Sequence, residues 1–297
     1  MKILVTGADG QLGQCFKKLF SEQEEIDKLF PENEELSYYL TNKSQLDIAS
    51  DEAEKIITDI RPNIIINCAA YVNTEGAEYN QRVAFLANTY GPINLATICN
   101  KHGIKLVHIS TDFVFDGEKN TPYKEFDACR PINTYGSTKY YGEEGIRSIL
   151  VNHVIVRTSW LYSEFGNNFL TKTLDVLRKG EKRFYVYDQI ASPTYAMNLA
   201  RFVLEFATKD TVRGTYHFTD AGVASRYDFA KEIELLYTGD KGIINPCLSD
   251  TMEEKVKRPM YSVLSGDLIV EHLGAKRVNW QLALSECMGN MFLTEKE

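Results

Sequence analysis

The feature that most constrains this fold is a glycine-rich turn between a short apolar run and an amphipathic helix at the start of the chain. Residues 2–6 are a β-branched apolar run, and Leu12, Phe16, Leu19 and Phe20 then recur at helical spacing. Glycines stand between the two segments at positions 7, 10 and 13. A strand that enters a helix through such a turn predicts the first βα unit of an open α/β sheet.

The same alternation continues through the first half of the chain. Residues 53–60 carry a helical apolar stripe that ends at Arg61-Pro62, and residues 63–68 are an apolar run typical of a strand covered on both faces. A helix at 83–101, a strand at 104–110, a helix after Asn133 and a strand at 153–157 are predicted next. The pattern predicts an α/β fold with a doubly wound, Rossmann-type parallel sheet and helices on both faces.

The second half is less regular and predicts a smaller mixed lobe. Residues 216–218 indicate a returning strand, and Ser225 to Asp228 match a helix capping box before Phe229, Ile233 and Leu236. We therefore expect residues 1–160 to form a dinucleotide-binding domain, with a returning segment near 190–220. Residues 161–297 should be mainly a substrate-binding lobe, interleaved in sequence with the first domain.

Charge and cysteine usage exclude several function classes. The formal net charge is −8 and the sequence has no basic block, so binding to nucleic-acid phosphates or to anionic lipid is not expected. The six cysteines are scattered, with no CxxC pair and no metal-ligand spacing, so no metal site is predicted. No apolar stretch is long enough to span a bilayer or to act as a signal peptide, which predicts a cytoplasmic protein.

The glycine turn predicts a dinucleotide site, although a tight turn without a ligand is the alternative. A helix N-terminus at this turn offers free N–H groups and partial positive charge to a pyrophosphate. The second strand is expected to end near Asn42-Lys43-Ser44, which contains no carboxylate to bind a ribose 2′-hydroxyl. This favours NADP(H), with NAD(H) as the alternative cofactor.

Tyr135 and Lys139 predict that the protein reduces a carbonyl group. They stand four residues apart and so share one helix face, where the cation is expected to favour ionisation of the phenol. In this interpretation Tyr135 gives a proton to a carbonyl oxygen as hydride attacks the carbon, and Thr111, at the end of a predicted strand, hydrogen-bonds the same oxygen. The alternative is an ordinary pair on a solvated helix.

The glycine spacing and the Tyr-x-x-x-Lys motif resemble the extended short-chain dehydrogenase/reductase superfamily. Longer runs narrow the resemblance and cover nearly the whole chain. They are STDFVFDG at 110–117, PINTYG at 131–136, RTSWLY at 157–162, GNNF at 166–169, DQ at 188–189, SPT at 192–194 and RPMYS at 258–262. Together they are similar to the dTDP-4-dehydrorhamnose reductase family.

The resemblance implies reduction of the C4 ketone of a dTDP-linked 6-deoxy-4-ketosugar, which yields dTDP-L-rhamnose for surface polysaccharides. It implies Thr111, Tyr135 and Lys139 as the catalytic group, and a homodimer is a further expectation. The implied cofactor-binding residues are Gly7, Asp9, Gly10, Gln11, Leu12, Gly13, Asn42, Lys43, Asp47, Ile48, Ala69, Ala70, Tyr71, Asn88, Ser110, Tyr135 and Lys139. The implied substrate-binding residues are Thr111, Asp112, Phe113, Trp160, Asn167, Asn168 and Arg258.

The sequence departs from the family pattern at positions that bear on the substrate. Phe113 stands where the family usually has tyrosine, and Val72 and Glu75 replace a hydroxyl residue and an aspartate. These departures leave open a reductase of another nucleotide-linked 4-ketosugar. A non-catalytic dinucleotide-binding regulatory subunit is a second alternative. A third is an epimerase or dehydratase in which Asp112 serves as an acid.

Overall fold

A six-stranded parallel sheet forms the centre of the fold in the computed structural model, which describes residues 1–30, 36–207, 209–253 and 255–294. The strands are β1 (Lys2–Thr6), β2 (Ser37–Thr41), β3 (Ile64–Asn67), β4 (Lys105–Thr111), β5 (His153–Thr158), β6 (Leu161–Tyr162), β7 (Arg183–Val186), β8 (Ile190–Ala191), β9 (Thr194–Tyr195), β10 (Gly214–His217), β11 (Ala224–Ser225) and β12 (Ile244–Cys247). The central sheet has the order β2-β1-β3-β4-β5-β10, and all its pairs are parallel. The predicted doubly wound sheet is confirmed, and so is the returning strand.

Twelve α-helices are found within the described residues. They are α1 (Gln11–Ser21), α2 (Gln23–Leu29), α3 (Ala53–Ile60), α4 (Thr74–Tyr79), α5 (Gln81–Phe85), α6 (Gly91–His102), α7 (Thr134–Ile149), α8 (Phe169–Lys179), α9 (Ala196–Ala207), α10 (Arg226–Thr238), α11 (Asp267–Leu273) and α12 (Trp280–Thr294). A π-helical turn, Leu86–Tyr90, joins α5 to α6, and a 3₁₀ turn, Asp112–Val114, follows β4. None of these helices is both long and apolar enough to cross a bilayer.

Alternate residues of the central strands pack against two helical layers. Ile3 and Ile66 face a core that includes α1 and α9, whereas Leu4 and Ile65 face a core that includes α3, α6 and α7. The first core continues without a break into α8, α10 and α12. The elements after β5 therefore pack on the same hydrophobic core as the sheet.

The strand order creates a crevice between β1 and β3. The chain leaves β1 toward β2 on one side and returns to β3 on the other, so the order reverses between these two neighbours. In open α/β sheets, ligands bind outside the carboxyl ends of the strands at such a reversal. The segments that follow β1 and β3, which begin at Gly7 and Cys68, line this crevice.

The structure adds detail to the predicted helices. The helix predicted over residues 83–101 is confirmed as a continuous helical segment, α5, the π-helical turn and α6, in which the buried Asn88 and Thr89 side chains donate to the Tyr71 and Thr138 carbonyls. Residues of α4 form a separate helix that the periodicity did not predict. In α10 the predicted capping box is present, but Leu236 is 42% exposed because it lies at the edge of the buried stripe.

Helix α7 is fixed to the sheet by a buried ion pair. Glu143 accepts hydrogen bonds from Arg157 Nη2 (2.7 Å) on β5 and from Ser110 Oγ (2.5 Å) on β4, and the Glu143 and Arg157 side chains are at most 2% exposed. Burial raises the Glu143 pKa, but Arg157 and its other partners outweigh burial and hold this pKa below its usual value. The carboxylate thus joins α7 to the ends of two strands.

Replacing Glu143 with alanine should lower the free energy of unfolding by about 3–5 kcal/mol, because Arg157 would remain buried without its anion. Denaturant unfolding measures this change. Glu144→Ala is the matched control on the same helix, since the Glu144 side chain is 51% exposed and its ion pair with Arg147 is worth at most about 1 kcal/mol. Equal losses in the two variants would contradict the role of the buried pair.

Candidate active site

The start of α7 places the predicted tyrosine and lysine beside the end of β4. Asn133 caps the helix by accepting a hydrogen bond from the Gly136 N–H (2.8 Å). A Cβ atom at Gly136 would lie 2.1 Å from the Phe113 carbonyl oxygen, so only glycine allows the helix to approach the turn after β4 this closely. Tyr135 and Lys139 lie one turn apart on this part of the helix.

Thr111, the last residue of β4, lies beside the Tyr135 phenol and lowers its pKa. Its hydroxyl also donates to Asp112 Oδ1 (3.1 Å) and accepts from the Phe113 N–H (3.2 Å). Asp112 Oδ2 in turn accepts from Ser262 Oγ (2.5 Å), which ties the 258–265 segment to the site. The hydroxyls of Thr111 and Tyr135 therefore lie side by side at the end of β4.

Burial dominates the electrostatics of this cluster. It raises the Tyr135 pKa to about 12, with the Thr111 hydrogen bond opposing it, and raises the Asp112 pKa to about 6. It lowers the Lys139 pKa to about 8. The expectation that Lys139 lowers the phenol pKa is wrong for this state, because Lys139 Nζ donates to the Ile109 carbonyl (2.6 Å) and desolvation of the phenol is the larger effect.

An inner cavity of about 350 Å³ brings the predicted catalytic residues together. Its lining residues are Gly10, Gln11, Leu12, Gly13, Cys68, Ala70, Val72, Ile109, Ser110, Thr111, Asp112, Tyr135, Lys139, Thr158, Ser159, Trp160, Leu161, Asn167 and Asn168. Thr111, Tyr135 and Lys139 thus share one cavity with the first turn of α1. The alternative of a surface pair is wrong, since Lys139 is only 2% exposed.

An outer cavity of about 470 Å³ adjoins the inner one at Gly10, Cys68 and Ala70. Its lining residues are Gly7, Asp9, Gly10, Asn42, Lys43, Leu46, Asp47, Ile48, Ala49, Cys68, Ala69, Ala70, Tyr71, Val83, Leu86 and Ala87. It contains every predicted cofactor residue from the glycine turn, β2 and β3 that does not line the inner cavity.

The glycine turn, which leads into the first turn of α1, lines the outer cavity. Gly7 has φ +70°, and a Cβ atom there would lie 2.7 Å from the Ala69 nitrogen, so the turn requires glycine and keeps the backbone open. Gly10 is the N-cap of α1 and supplies no side-chain cap to the first-turn N–H groups. These groups suit a pyrophosphate. Asn42 and Lys43 directly follow β2, as predicted, and Lys43 Nζ lies 3.8 Å from Asp47 Oδ2.

Three predicted residues have other surroundings. Asn88 is fully buried behind the wall of the outer cavity, where it accepts from the Tyr71 N–H (2.8 Å) and donates to the Tyr71 carbonyl (3.0 Å). Asn168 lines the inner cavity but uses its amide to cap α8 and to bond Ser163. Arg258 is not among the described residues that line the inner or the outer cavity.

A third space, the lobe cavity of about 220 Å³, opens from the catalytic residues toward α8 and α10. Its lining residues are Val72, Thr74, Thr111, Asp112, Phe113, Tyr135, Trp160, Leu161, Phe169, Arg226 and Phe229. The Arg226 guanidinium lies 4.7 Å from the Trp160 ring centre, and Arg226 Nε donates to Gln189 Oε1 (3.0 Å). Trp160 has φ +42°, a left-handed backbone conformation that is costly for a residue other than glycine. Such strained residues are common at functional sites.

Sequence reasoning missed Arg226 and Phe169 in this cavity. Arg226 lies inside the predicted capping box, where it was only the first residue of a helix, and no local pattern connects it with Trp160. Two of the residues that depart from the family pattern, Phe113 and Val72, also line the lobe cavity. Phe113 contacts Tyr135 edge to face, with ring centres 5.7 Å apart, and Val72 lines both the inner and the lobe cavity.

Within the described part of the chain, no cluster of three or more His, Cys, Asp or Glu side chains is placed to hold a metal ion. All six cysteines are free.

Comparisons with known proteins agree with this geometry. A family model described as the RmlD substrate binding domain matches residues 1–292. The chain is 34% identical to a dTDP-4-dehydrorhamnose reductase from Aggregatibacter actinomycetemcomitans, with 95% of this chain and 97% of the relative covered. It is also 34% identical to a dTDP-4-keto-6-deoxy-D-glucose reductase from Streptomyces niveus, with 95% of each covered.

A solved structure is similar over the same length. It is a dTDP-4-dehydrorhamnose reductase from Bacillus anthracis in complex with NADP, 34% identical with a TM-score of 0.87, covering 97% of this chain and 99% of that one. The family model and the full-length relatives together establish that this chain belongs to the RmlD substrate binding domain family, the dTDP-4-dehydrorhamnose reductases.

Proposed function

We propose that this protein reduces the C4 ketone of dTDP-4-dehydro-L-rhamnose to dTDP-L-rhamnose with NADPH. The observation that carries the proposal is that Thr111, Tyr135 and Lys139 line one cavity that adjoins a second cavity of dinucleotide character. Membership of a reductase family supports the same reaction. A purely regulatory subunit would not need a phenol beside a hydroxyl and an amine.

Three side chains of the inner cavity have different roles in the proposed reaction. The nicotinamide supplies hydride when NADPH is bound. Thr111 and Tyr135 donate hydrogen bonds to the carbonyl oxygen, on which negative charge develops, and Tyr135 passes its proton to this oxygen. Lys139 in its charged form stabilises the phenolate that remains. The buried surroundings strengthen each of these interactions because little water screens them.

The outer cavity is proposed to hold the adenosine and pyrophosphate of NADPH. The first-turn N–H groups of α1 would bind the pyrophosphate, and Asn42 and Lys43 would lie near the ribose 2′-phosphate. The NADP complex of the Bacillus anthracis relative supports this choice. NAD(H) remains the alternative cofactor. Asn88 would act indirectly, through its two hydrogen bonds to the Tyr71 backbone.

The lobe cavity is proposed to receive the sugar nucleotide. Residues 161–297 would act mainly as a substrate-binding lobe on the dinucleotide-binding domain of residues 1–160, with 190–220 returning to that domain. Trp160 would contact the sugar nucleotide, as would Asn167. Arg226 is the cation among the described residues that line the lobe cavity, so we assign it to the diphosphate.

A second candidate is reduction of a different dTDP-linked 4-ketosugar. Phe113 favours it, because its ring lies against Tyr135 in the lobe cavity and presents no hydroxyl to the sugar. The relative from Streptomyces niveus is named for such a substrate. Comparing turnover of dTDP-4-dehydro-L-rhamnose with that of dTDP-4-keto-6-deoxy-D-glucose separates the two candidates.

Two further parts of the proposal concern the protein in its cell. A cytoplasmic location suits an enzyme that uses NADPH and a nucleotide-linked sugar. A homodimer stays a prediction that sedimentation of the purified protein can test.

Replacing Tyr135 with phenylalanine should lower kcat about 10²- to 10⁴-fold, because the proton donor is lost while the ring remains. The assay follows NADPH absorbance with dTDP-4-dehydro-L-rhamnose. Tyr141→Phe is the matched control on α7, since its ring is 57% exposed. Full activity in Tyr135→Phe would sink the assignment of the donor, and no turnover by the wild type would point to the regulatory alternative.

Replacing Asn42 with aspartate should lower the preference for NADPH over NADH about tenfold or more, because like charges about 4 Å apart repel by roughly 1–4 kcal/mol near a protein surface. The ratio of kcat/KM for the two cofactors measures this change. Aspartate can still accept the turn hydrogen bonds that Asn42 Oδ1 accepts from Ser44 and Gln45. Asn63→Asp, at the opposite end of the strands, should leave the ratio unchanged.

Replacing Arg226 with methionine should raise KM for the dTDP-sugar about 10- to 100-fold, because a charged hydrogen bond contributes roughly 1.5–3 kcal/mol. Steady-state kinetics should show kcat and the KM for NADPH little changed. Arg226→Lys, which keeps the charge, should lie between the methionine variant and the wild type. An unchanged KM for the sugar nucleotide in Arg226→Met would place the diphosphate elsewhere.

A further inference from the structure

A row of buried polar side chains connects the first strand with Lys139. Thr6 on β1, Asn67 on β3 and His108 on β4 are each at most 1% exposed, and the sheet around them is apolar. Thr6 Oγ1 donates to Asn67 Oδ1 (2.6 Å), and Asn67 Nδ2 lies 2.9 Å from His108 Nδ1. His108 Nε2 lies 3.2 Å from Lys139 Nζ. The proposed mechanism uses Lys139 but not the three residues behind it.

The backbone of Ala69 determines how the hydrogens are arranged in this row. The Ala69 N–H can only donate, and it donates to Asn67 Oδ1 (3.2 Å), which fixes the orientation of the amide. Asn67 Nδ2 must then donate to His108 Nδ1, so Nδ1 carries no hydrogen. A neutral imidazole has one N–H, which is therefore on Nε2 and faces Lys139.

We propose that His108 is a positioning residue whose Nε2–H donates to the Lys139 amine, so that the Asn67 and His108 pair sets the pH above which Lys139 is uncharged. A neutral amine fits both neighbours, since its lone pair accepts from Nε2–H and one of its hydrogens bonds the Ile109 carbonyl. An ammonium has no lone pair and would direct a hydrogen toward Nε2–H. The inference rests on the proposed function only in giving Lys139 a catalytic role.

Burial and the neighbouring charged groups also affect the pKa values of His108 and Lys139. Burial first, and then the Lys139 charge, lower the His108 pKa well below its usual value, so the imidazole is neutral. Burial lowers the Lys139 pKa to about 8, while Glu143 on α7 favours its charged form; the Cys68 thiol after β3 also faces it. Glu143 is bonded to Arg157, and burial raises the Cys68 pKa well above its usual value. Lys139 therefore changes charge near pH 8, and His108 acts on that change directly.

The tautomer of His108 tests the proposal without any substrate. In protein labelled with ¹⁵N in its five histidines, the signal missing from His108→Gln identifies His108. We expect the Nε2–H tautomer, with a chemical shift that titrates near pH 8 in the wild type and not in Lys139→Met. An Nδ1–H tautomer or an imidazolium would overturn the proposal. Because no turnover is needed, this result stands apart from failure of the proposed reductase activity.

The Asn67→Asp variant tests whether the Asn67 amide sets the His108 tautomer and, through it, the titration of Lys139. Its carboxylate cannot donate to Nδ1, so the His108 proton should move to Nδ1 and Nε2 should accept from a charged Lys139. The midpoint of the Lys139 titration, and the alkaline limit of kcat/KM, should rise by about one pH unit or more. If the midpoint of the Lys139 titration rose while His108 kept its Nε2–H tautomer, the rise would come from the new carboxylate charge alone. That result would refute the proposal. Asn63→Asp should change neither quantity, and if Asn67→Asp fails to fold, the wild-type tautomer still decides.

Discussion

The candidate active site depends on the buried carboxylate of Glu143. An unpaired ionised carboxylate inside a protein is costly, and Glu143 stays charged because Arg157, Arg147 and Ser110 reach it. Arg157 and Ser110 lie on β5 and β4, whereas Glu143 lies on α7, one turn beyond Lys139. The bonds that stabilise the Glu143 carboxylate therefore also hold the start of α7 against the end of β4, where Tyr135 lies beside Thr111.

Burial acts on the acid and the base of this site in opposite senses. It raises the pKa of the Tyr135 phenol to about 12 and lowers that of the Lys139 amine to about 8, because a low dielectric disfavours the charged form of each. Tyr135 therefore begins neutral and able to donate a proton, and Lys139 is close to its own titration point. Lys139 does not activate the phenol in this state, so its proposed role is to stabilise the phenolate after proton transfer.

The proposed reaction chemistry and the proposed substrate contacts come from different parts of the chain. The hydroxyls, the amine and the glycine turn all precede residue 140, on elements fixed to the central sheet. The lobe cavity adds Trp160, Phe169 and Arg226 from later segments, and Trp160 has a left-handed backbone there. If the lobe cavity receives the sugar nucleotide, as proposed, later segments can vary with the sugar while the residues proposed for hydride chemistry stay the same.

The sequence by itself determined the alternation of strands and helices, the glycine turn, the spacing of Tyr135 and Lys139 and the absence of an acid after β2. Each of these is a local pattern, set by backbone geometry or by the periodicity of buried side chains. Only the tertiary structure decided that Arg226 lies on Trp160, that Asn88 supports Tyr71 from behind, and that the Ala69 N–H fixes the His108 proton opposite Lys139. These contacts join residues distant in sequence, and they follow from packing and hydrogen-bond satisfaction in the core, which no local pattern encodes.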